Sequence, residues 1–494
     1  MNRIIPEIDK LPSEILHLYK KYMDRSDFFP IQADEGNIYF LVSDNEGVRK
    51  ATLLALRANR KATCRFIDRE TLLKTAEDFS YIFDEDIEME IDDSISIPEN
   101  YDILQGISED APVVRLVNQL IMNAIRSEAS DIHIEGREKN LIVRYRIDGR
   151  LKTVKTLERG LQDFIVARIK VMANMDVAET RRPQDGRINI QFGTKTIDIR
   201  VSTIPTSSGE KVVLRLLQRS ETILNLSSLG LDPERMGILK RLLRSPNGII
   251  LVTGPTGSGK TTTLYACIHD IRDESINIVT IEDPVEYRVD GIAQVQVNPA
   301  TGVTFARSIR TFLRQDPDII LVGEIRDEET AEAAIQASLT GHLVLTTLHT
   351  SDAPTAVARL VDMNIEPFLI SSSLLLVIGQ RLVRKICNNC KEEVTLEDEL
   401  QYIFEQRGIK IDRYSRGKGC EECLNTGYRG RTGIFEFLLI DDDLRKLIMK
   451  KPSSTQIKLL ARQKKMKDMF AHGIELVRKG ITTPEEVITA TTQG

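Results

Sequence analysis

The octapeptide GPTGSGKT, Gly254 to Thr261, constrains this 494-residue chain more tightly than any other feature. It fits the pattern G-x-x-x-x-G-K-[ST], follows the apolar run Gly248–Thr253 and opens a helix-like stretch, Thr261–Ile271. Strand, glycine-rich loop and helix, in that order, form the context in which such a pattern binds phosphate. Glycines let the loop turn its backbone N–H groups inward around phosphate oxygens, and the helix N-terminus adds positive potential. Gly254, Pro255, Thr256, Gly257, Ser258, Gly259, Lys260, Thr261 and Thr262 are therefore the candidate phosphate-binding residues. Lys260 is placed to reach the β- and γ-phosphates, and the Thr261 hydroxyl to hold Mg²⁺.

The neighbouring sequence supplies the fold such a loop needs. Apolar runs at Gly248–Thr253, Ile276–Ile281, Asp318–Gly323 and Leu343–Thr347 alternate with helix-like stretches such as Glu328–Leu339. This alternation predicts an α/β unit, a parallel sheet covered on both faces. Ligands of such sheets lie beyond the carboxyl ends of the strands, so acids following those runs fall on the phosphate side. Glu324, just past Asp318–Gly323, is placed for the attacking water, with its share of Mg²⁺ duty left open. Glu282, Asp283 and Glu286 cluster after Ile276–Ile281. His349 sits at the end of the segment Thr340–Thr350 and reads as a polar sensor beside the γ-phosphate, or as a structural histidine. Arg307, Arg310 and Arg314 share one helical face. They form either an ordinary charged surface or an arginine cluster aimed at nucleotide phosphates across a subunit boundary.

Cys387-x-x-Cys390 and Cys420-x-x-Cys423 are the second strong signal. Thiolates paired at that spacing can wrap one Zn²⁺ in a tetrahedral site. Four protein ligands leave no position for substrate, so the site is structural. A redox dithiol is the runner-up, although one such pair would suffice for it. Cys64 and Cys267 read as small buried residues.

Upstream, Leu141, Val143, Tyr145 and Ile147 alternate with mostly polar partners, and Ile188–Phe192 and Ile197–Val201 do likewise around Gly193-Thr194-Lys195. These predict antiparallel strands, with Leu161, Phe164, Ile165, Ile169 and Met172 on a helical stripe between them. From Glu77 to Asp110 there are thirteen acidic residues and no Lys or Arg, which marks a domain boundary. A formal charge of −6 argues against a basic body built for nucleic acid. The longest nearly apolar run, Pro367 to Gly379, is shorter than the ~20 residues a membrane helix needs. The N-terminus lacks the apolar core of a signal peptide, and the expected location is cytoplasmic.

Together these motifs resemble the secretion ATPase superfamily, and within it the type II secretion ATPases, the E components of the general secretion pathway. The carried segments are GPTGSGKT, IEDPVEY, DIILVGEIRD and GHLVLTTLHT. Upstream, SDIHIE, RRPQDGRI and RVSTIPTSSGEKVVLRLL add to them. The resemblance covers about Ala111 to the C-terminus and leaves residues 1–90 without a motif. It implies that Arg200, Arg215, Arg310, Arg314, Arg326 and Arg359 serve nucleotide or subunit contacts. It also implies a hexameric ring driven by ATP and attached peripherally to the inner membrane through a bitopic L component. The tetracysteine element fits secretion and pilus-assembly members rather than retraction ATPases.

The expected chain is α/β and multidomain: an N-terminal docking domain at 1–90, an acidic linker at 91–110 and an α+β domain at 111–220. A RecA-like P-loop ATPase core at 221–380 follows, then a Cys₄ zinc element at 381–432 and a helical C-terminal subdomain at 433–494. The expected function is ATP hydrolysis driving pseudopilus assembly and protein export. A type IV pilus assembly ATPase is the near alternative, and a nucleic-acid motor the distant one. Between Arg381 and Arg431 there are eleven Lys/Arg against nine Asp/Glu and few aromatics, a poor surface for nucleic acid.

Overall fold

In the computed structural model of the chain, residues 27–34, 36–69, 112–192, 195–218 and 225–492 are described, with residues 11, 15, 19, 71, 72 and 75. The acidic stretch read as a linker, 91–110, lies outside the described residues. The chain divides into two compact units, Met1–Arg219 and Ser220–Gly494.

The first unit begins with a small sheet of β1 (Phe28–Ala33), β2 (Asn37–Val42) and β3 (Lys61–Phe66), in that order. β1 and β2 pair antiparallel, whereas β2 and β3 pair parallel through the crossover helix α1 (Asn45–Arg57). Asp44 caps α1 by accepting the Gly47 N–H, as a short carboxylate at that position should. Phe28, Phe29, Ile38, Phe40 and Leu54 form the core between helix and sheet.

The same unit continues with helix α2 (Pro112–Arg126) and an antiparallel sheet of β4 (Asp131–Gly136), β5 (Asn140–Ile147), β6 (Arg150–Glu158), β7 (Gln184–Phe192), β8 (Lys195–Thr206) and β9 (Gly209–Gln218). Spatial order is β6-β5-β4-β9-β8-β7, and helix α3 (Gln162–Met172) connects β6 to β7. One face packs on the apolar stripes of α2 and α3, using Ile132, Ile134, Leu141, Val143, Ile199, Val201, Val212 and Leu214. Period-two alternation leaves the other face polar. Lys170, 1% exposed, ties α3 to β9 through an ion pair of 2.7 Å with Glu210.

In the second unit, α4 (Pro233–Leu242) precedes a seven-stranded sheet ordered β12-β11-β13-β14-β10-β15-β18. Its strands are β10 (Gly248–Thr253), β11 (Ile278–Glu282), β12 (Ala293–Gln296), β13 (Ile319–Val322), β14 (Leu343–Leu348), β15 (Leu374–Ile386) and β18 (Tyr428–Leu439). All pairs are parallel except β15 with β18. Helices α5 (Lys260–Ile271), α6 (Phe305–Phe312), α7 (Glu328–Leu339), α8 (Ala353–Asp362) and α9 (Pro367–Ser373) connect them. β10, β11, β13 and β14 are buried at every position, as a sheet covered on both faces requires.

Between β15 and β18 the chain makes a two-stranded ribbon, β16 (Lys391–Thr395) with β17 (Arg413–Gly417), and helix α10 (Asp398–Glu405). Helices α11 (Asp442–Ile448), α12 (Ser454–Gln463), α13 (Met469–Arg478) and α14 (Pro484–Thr492) close the unit. The apolar stretch Pro367 to Gly379 divides between α9 and the start of β15. Among the described residues no helix is long and apolar enough to cross a membrane.

Candidate functional site

β10 runs into α5 through the glycine-rich loop, and the parallel strands beside it end at the same edge. A cleft of about 410 Å³ opens there. It is lined by Thr256–Thr262, by Glu282 at the end of β11 with Asp283 and Glu286 beyond it, by Glu324 after β13, and by His349 after β14. Gly254 and Pro255 form the base of the loop, where their carbonyls accept from the Lys260 ammonium at 2.8 and 3.1 Å. Burial pushes Lys260 down to about 8, against the attraction of Glu324.

Glu324 is the centre of the acid cluster. Arg326 donates to its Oε1, and His349 Nε2 lies 3.2 Å from its Oε2. Burial, followed by the charge of Lys260, pushes the His349 imidazole below its ordinary value. It is therefore neutral at pH 7, and its Nε2–H can donate to the carboxylate. Glu282 differs: it is 3% exposed and already engaged at both oxygens. Tyr265 donates to Oε2 at 2.7 Å, while Thr280 and Gln294 donate to Oε1 at 2.7 and 3.3 Å. Three donors hold this carboxylate at the β11 end of the cleft.

Several residues of the site carry no motif signal. Leu382 and Arg431 line the cleft from β15 and β18. Gln380 of β15 lies beneath the loop. Its signal is a polar residue that follows the apolar first half of β15. Thr253 and Thr350 join the ends of β10 and β14 by a 2.7 Å hydroxyl contact, which steadies the turn carrying His349.

Arg310, on α6, and Arg314, just past its end, stand outside this cleft. Arg310 pairs with Glu329 at 2.6 Å, and Arg314 donates to the Arg310 carbonyl at 3.1 Å. Arg200 and Arg215 belong to the other unit and face each other directly across β8 and β9. Arg187 stands opposite Arg200 on β7, making a row of three like charges on the polar sheet face. Asp131 continues the row and holds Arg215 at 3.1 Å and Arg146 at 3.4 Å. The buried Nε of Arg200 has no hydrogen-bond partner. Like charges placed directly opposite oppose pairing, so such a row suits an anion.

The four cysteines converge. Sγ separations are 3.8 Å for Cys387–Cys420, 3.9 Å for Cys390–Cys423 and 3.7 Å for Cys420–Cys423. These are far too long for a disulfide of about 2.05 Å. A tetrahedron with metal–sulfur bonds of about 2.3 Å has edges of about 3.8 Å, so the set fits a tetrahedral metal ion. The N–H groups of Gly419, Cys420 and Gly427 point at the sulfurs at 3.2–3.3 Å, as thiolate charge would favour.

Asp232, His472 and Glu475 also bring possible ligand atoms together. Here the hydrogen bonding decides against a metal. His472 Nδ1 accepts the Phe435 N–H at 2.9 Å, which leaves the ring proton on Nε2, facing Asp232 at 4.0 Å. A protonated nitrogen has no lone pair to offer a metal.

A RecA-like sheet, a phosphate loop and carboxylates at neighbouring strand ends define a nucleotide-binding α/β protein. Residues 107–489 match the family described as Type II/IV secretion system protein. The Type II secretion system ATPase E of Vibrio cholerae is 49% identical over 413 residues, covering 82% of this chain and 81% of the relative. The Type II secretion system protein E of Pseudomonas aeruginosa is 50% identical over 397 residues, covering 80% and 78%. Among solved structures, the pilus retraction motor PilT with bound ADP is 28% identical with a TM-score of 0.51, covering 76% of this chain and 96% of its own. The Legionella pneumophila ATPase DotB, 20% identical with a TM-score of 0.58, covers 81% and 98% and shares the fold. The chain belongs to the Type II/IV secretion system protein family, and its similarity to the type II secretion E proteins extends over four fifths of its length.

His472 yields a test of the second unit. Burial, helped by the charge of Arg235, lowers it from 6.5 to about 4. The unfolded chain therefore binds this proton first, and stability present above pH ~6.5 is lost as pH falls toward ~4. Denaturant unfolding at stepped pH should show that loss, up to about 3 kcal/mol, and His472→Gln should flatten it. A variant with the wild-type pH slope would refute the assignment.

Proposed function

We propose that this chain binds Mg²⁺-ATP in the cleft at the end of β10 and hydrolyses it to drive pseudopilus assembly and protein export by a type II secretion system. The observation that carries the reading is the grouping of the phosphate loop, Lys260, Glu324 and His349 in one cleft. Similarity to the type II secretion E proteins supports the cellular task.

The loop N–H groups and Lys260 hold the β- and γ-phosphates, exchanging the Gly254 and Pro255 carbonyls for phosphate oxygens. Thr261 would hold Mg²⁺, which neutralises phosphate charge when bound. Glu324 orients the attacking water and accepts its proton, while neutral His349 keeps the carboxylate turned into the cleft. Glu282, with both oxygens engaged, keeps the cleft floor in place. Arg187, Arg200 and Arg215 form an anion-seeking row, and Arg310 and Arg314 face outward, where a neighbouring copy in a hexameric ring would meet them. The six expected domains are part of this proposal. Residues 1–90 dock on the inner-membrane L component and the tetracysteine element holds Zn²⁺.

Lys260 and Glu324 should fail differently. Lys260→Ala removes a ground-state contact, so ATP binding and turnover fall together. Glu324→Gln keeps the shape without a proton acceptor, so ATP binds nearly normally while turnover falls by roughly 10² or more. Equilibrium binding and single-turnover hydrolysis on both variants decide it. A Glu324→Gln protein that turns over at the wild-type rate excludes Glu324 as the base.

Gently purified protein should carry one Zn²⁺ per chain, and elemental analysis giving less than about half an equivalent would count against the Cys₄ site. Removing residues 1–90 should spare basal hydrolysis and abolish sedimentation with membranes containing the L component. Retained sedimentation would place docking elsewhere.

A further inference from the structure

Gln380 belongs to β15, the strand beside β10, and its side chain is 1% exposed directly under the phosphate loop. Two hydrogen bonds fix its amide. The Thr263 hydroxyl donates to Oε1 at 2.7 Å, and Nε2 donates to the Ser258 carbonyl at 2.8 Å. Only one amide orientation satisfies both, because a carbonyl can only accept.

The loop glycines make room for this residue. A Cβ on Gly254 would stand 2.4 Å from the backbone carbonyl oxygen of Gln380, and one on Gly259 would stand 2.9 Å from its side-chain Nε2. Gly259 also has φ of +84°, a conformation other residues adopt at a cost. The backbone of β15 thus accounts for Gly254 and the Gln380 side chain for Gly259, both from below and independently of phosphate.

The Ser258 carbonyl belongs to the Ser258–Gly259 peptide, whose N–H is that of Gly259. In a planar trans peptide the C=O and N–H point in opposite directions. Holding the carbonyl down onto Gln380 turns the Gly259 N–H up, toward the cleft that Ser258 and Gly259 line. We propose that Gln380 is a positioning residue for nucleotide binding: its amide fixes the Ser258–Gly259 peptide so that the Gly259 N–H faces the nucleotide phosphates. The inference rests on the ATP-binding reading above and adds to it a residue outside the loop.

The test compares ADP affinity, by calorimetry, with the melting midpoint of nucleotide-free full-length protein. Gln380→Glu keeps size and shape but turns an acceptor onto the Ser258 carbonyl. Gln380→Met removes both polar groups and leaves that carbonyl unpaired. Affinity should fall about tenfold or more in Gln380→Glu and by less in Gln380→Met. A residue that only fills space would give the reverse order, since Glu is the closer isostere. Thr263→Val, which removes the donor fixing the amide, should weaken ADP about threefold and lower the melting midpoint, since it leaves a buried oxygen unpaired. It remains informative if neither Gln380 variant folds. ADP affinity within twofold of wild type in Gln380→Glu, a larger loss in Gln380→Met, or unaltered affinity in Thr263→Val would each overturn the inference. Wild-type protein that binds no ADP would instead overturn the ATP reading, and this inference with it.

Discussion

Parallel pairing of β10, β11, β13 and β14 is the constraint on which the second unit depends. Because the four strands run in one direction, their carboxyl ends fall at one edge, and each contributes a functional group there. β10 brings the phosphate loop, β11 Glu282, β13 Glu324 and β14 His349. The registers place Thr253 opposite Leu348 and Val322 opposite Thr346, so β10 and β14 end level and β13 ends two residues short of them. A slip of one residue would turn each buried side chain to the other face and move its functional group out of line. Burial on both faces makes such a slip costly, and the rigidity of the site follows from that.

Burial on both faces also governs how much of the fold is legible in the amino-acid sequence. The parallel strands are continuous apolar runs, and their positions follow the sequence closely: Glu328–Leu339 is the helix expected, and Leu343–Leu348 extends the expected strand by one residue. The first unit's antiparallel strands are equally legible, because one polar face leaves a period of two. The late strands are not. β15 and β18 mix apolar and charged residues as they leave the sheet toward the cysteines, and neither period persists along them. β12 is only four residues long, too short for any pattern.

The cleft divides in the same way. Phosphate loop, Glu324, Glu282 and His349 are marked by motifs or by their place after strands. Leu382 and Arg431 reach the cleft through tertiary packing, and nothing local distinguishes Arg431 within a stretch rich in both charges. The difference between Glu282 and Glu324 also needs the fold, since three neutral donors from α5, β11 and β12 surround the first, whereas Arg326 and His349 hold the second. Residues similar in sequence context thus acquire different chemistry from what surrounds them.

The borders of the seven-stranded sheet bear on how copies of this chain can meet. On one side lies β12, four residues long, and on the other β18, whose outer half leaves with β15 toward the cysteines. β12 is too short to offer a long flat row of unpaired backbone groups, the feature through which sheets join end to end, and in β18 the Phe435 N–H is already taken by His472. Copies that met at the β12 border would do so through side chains, and contacts of that kind can slide, open and re-form without tearing a backbone ladder.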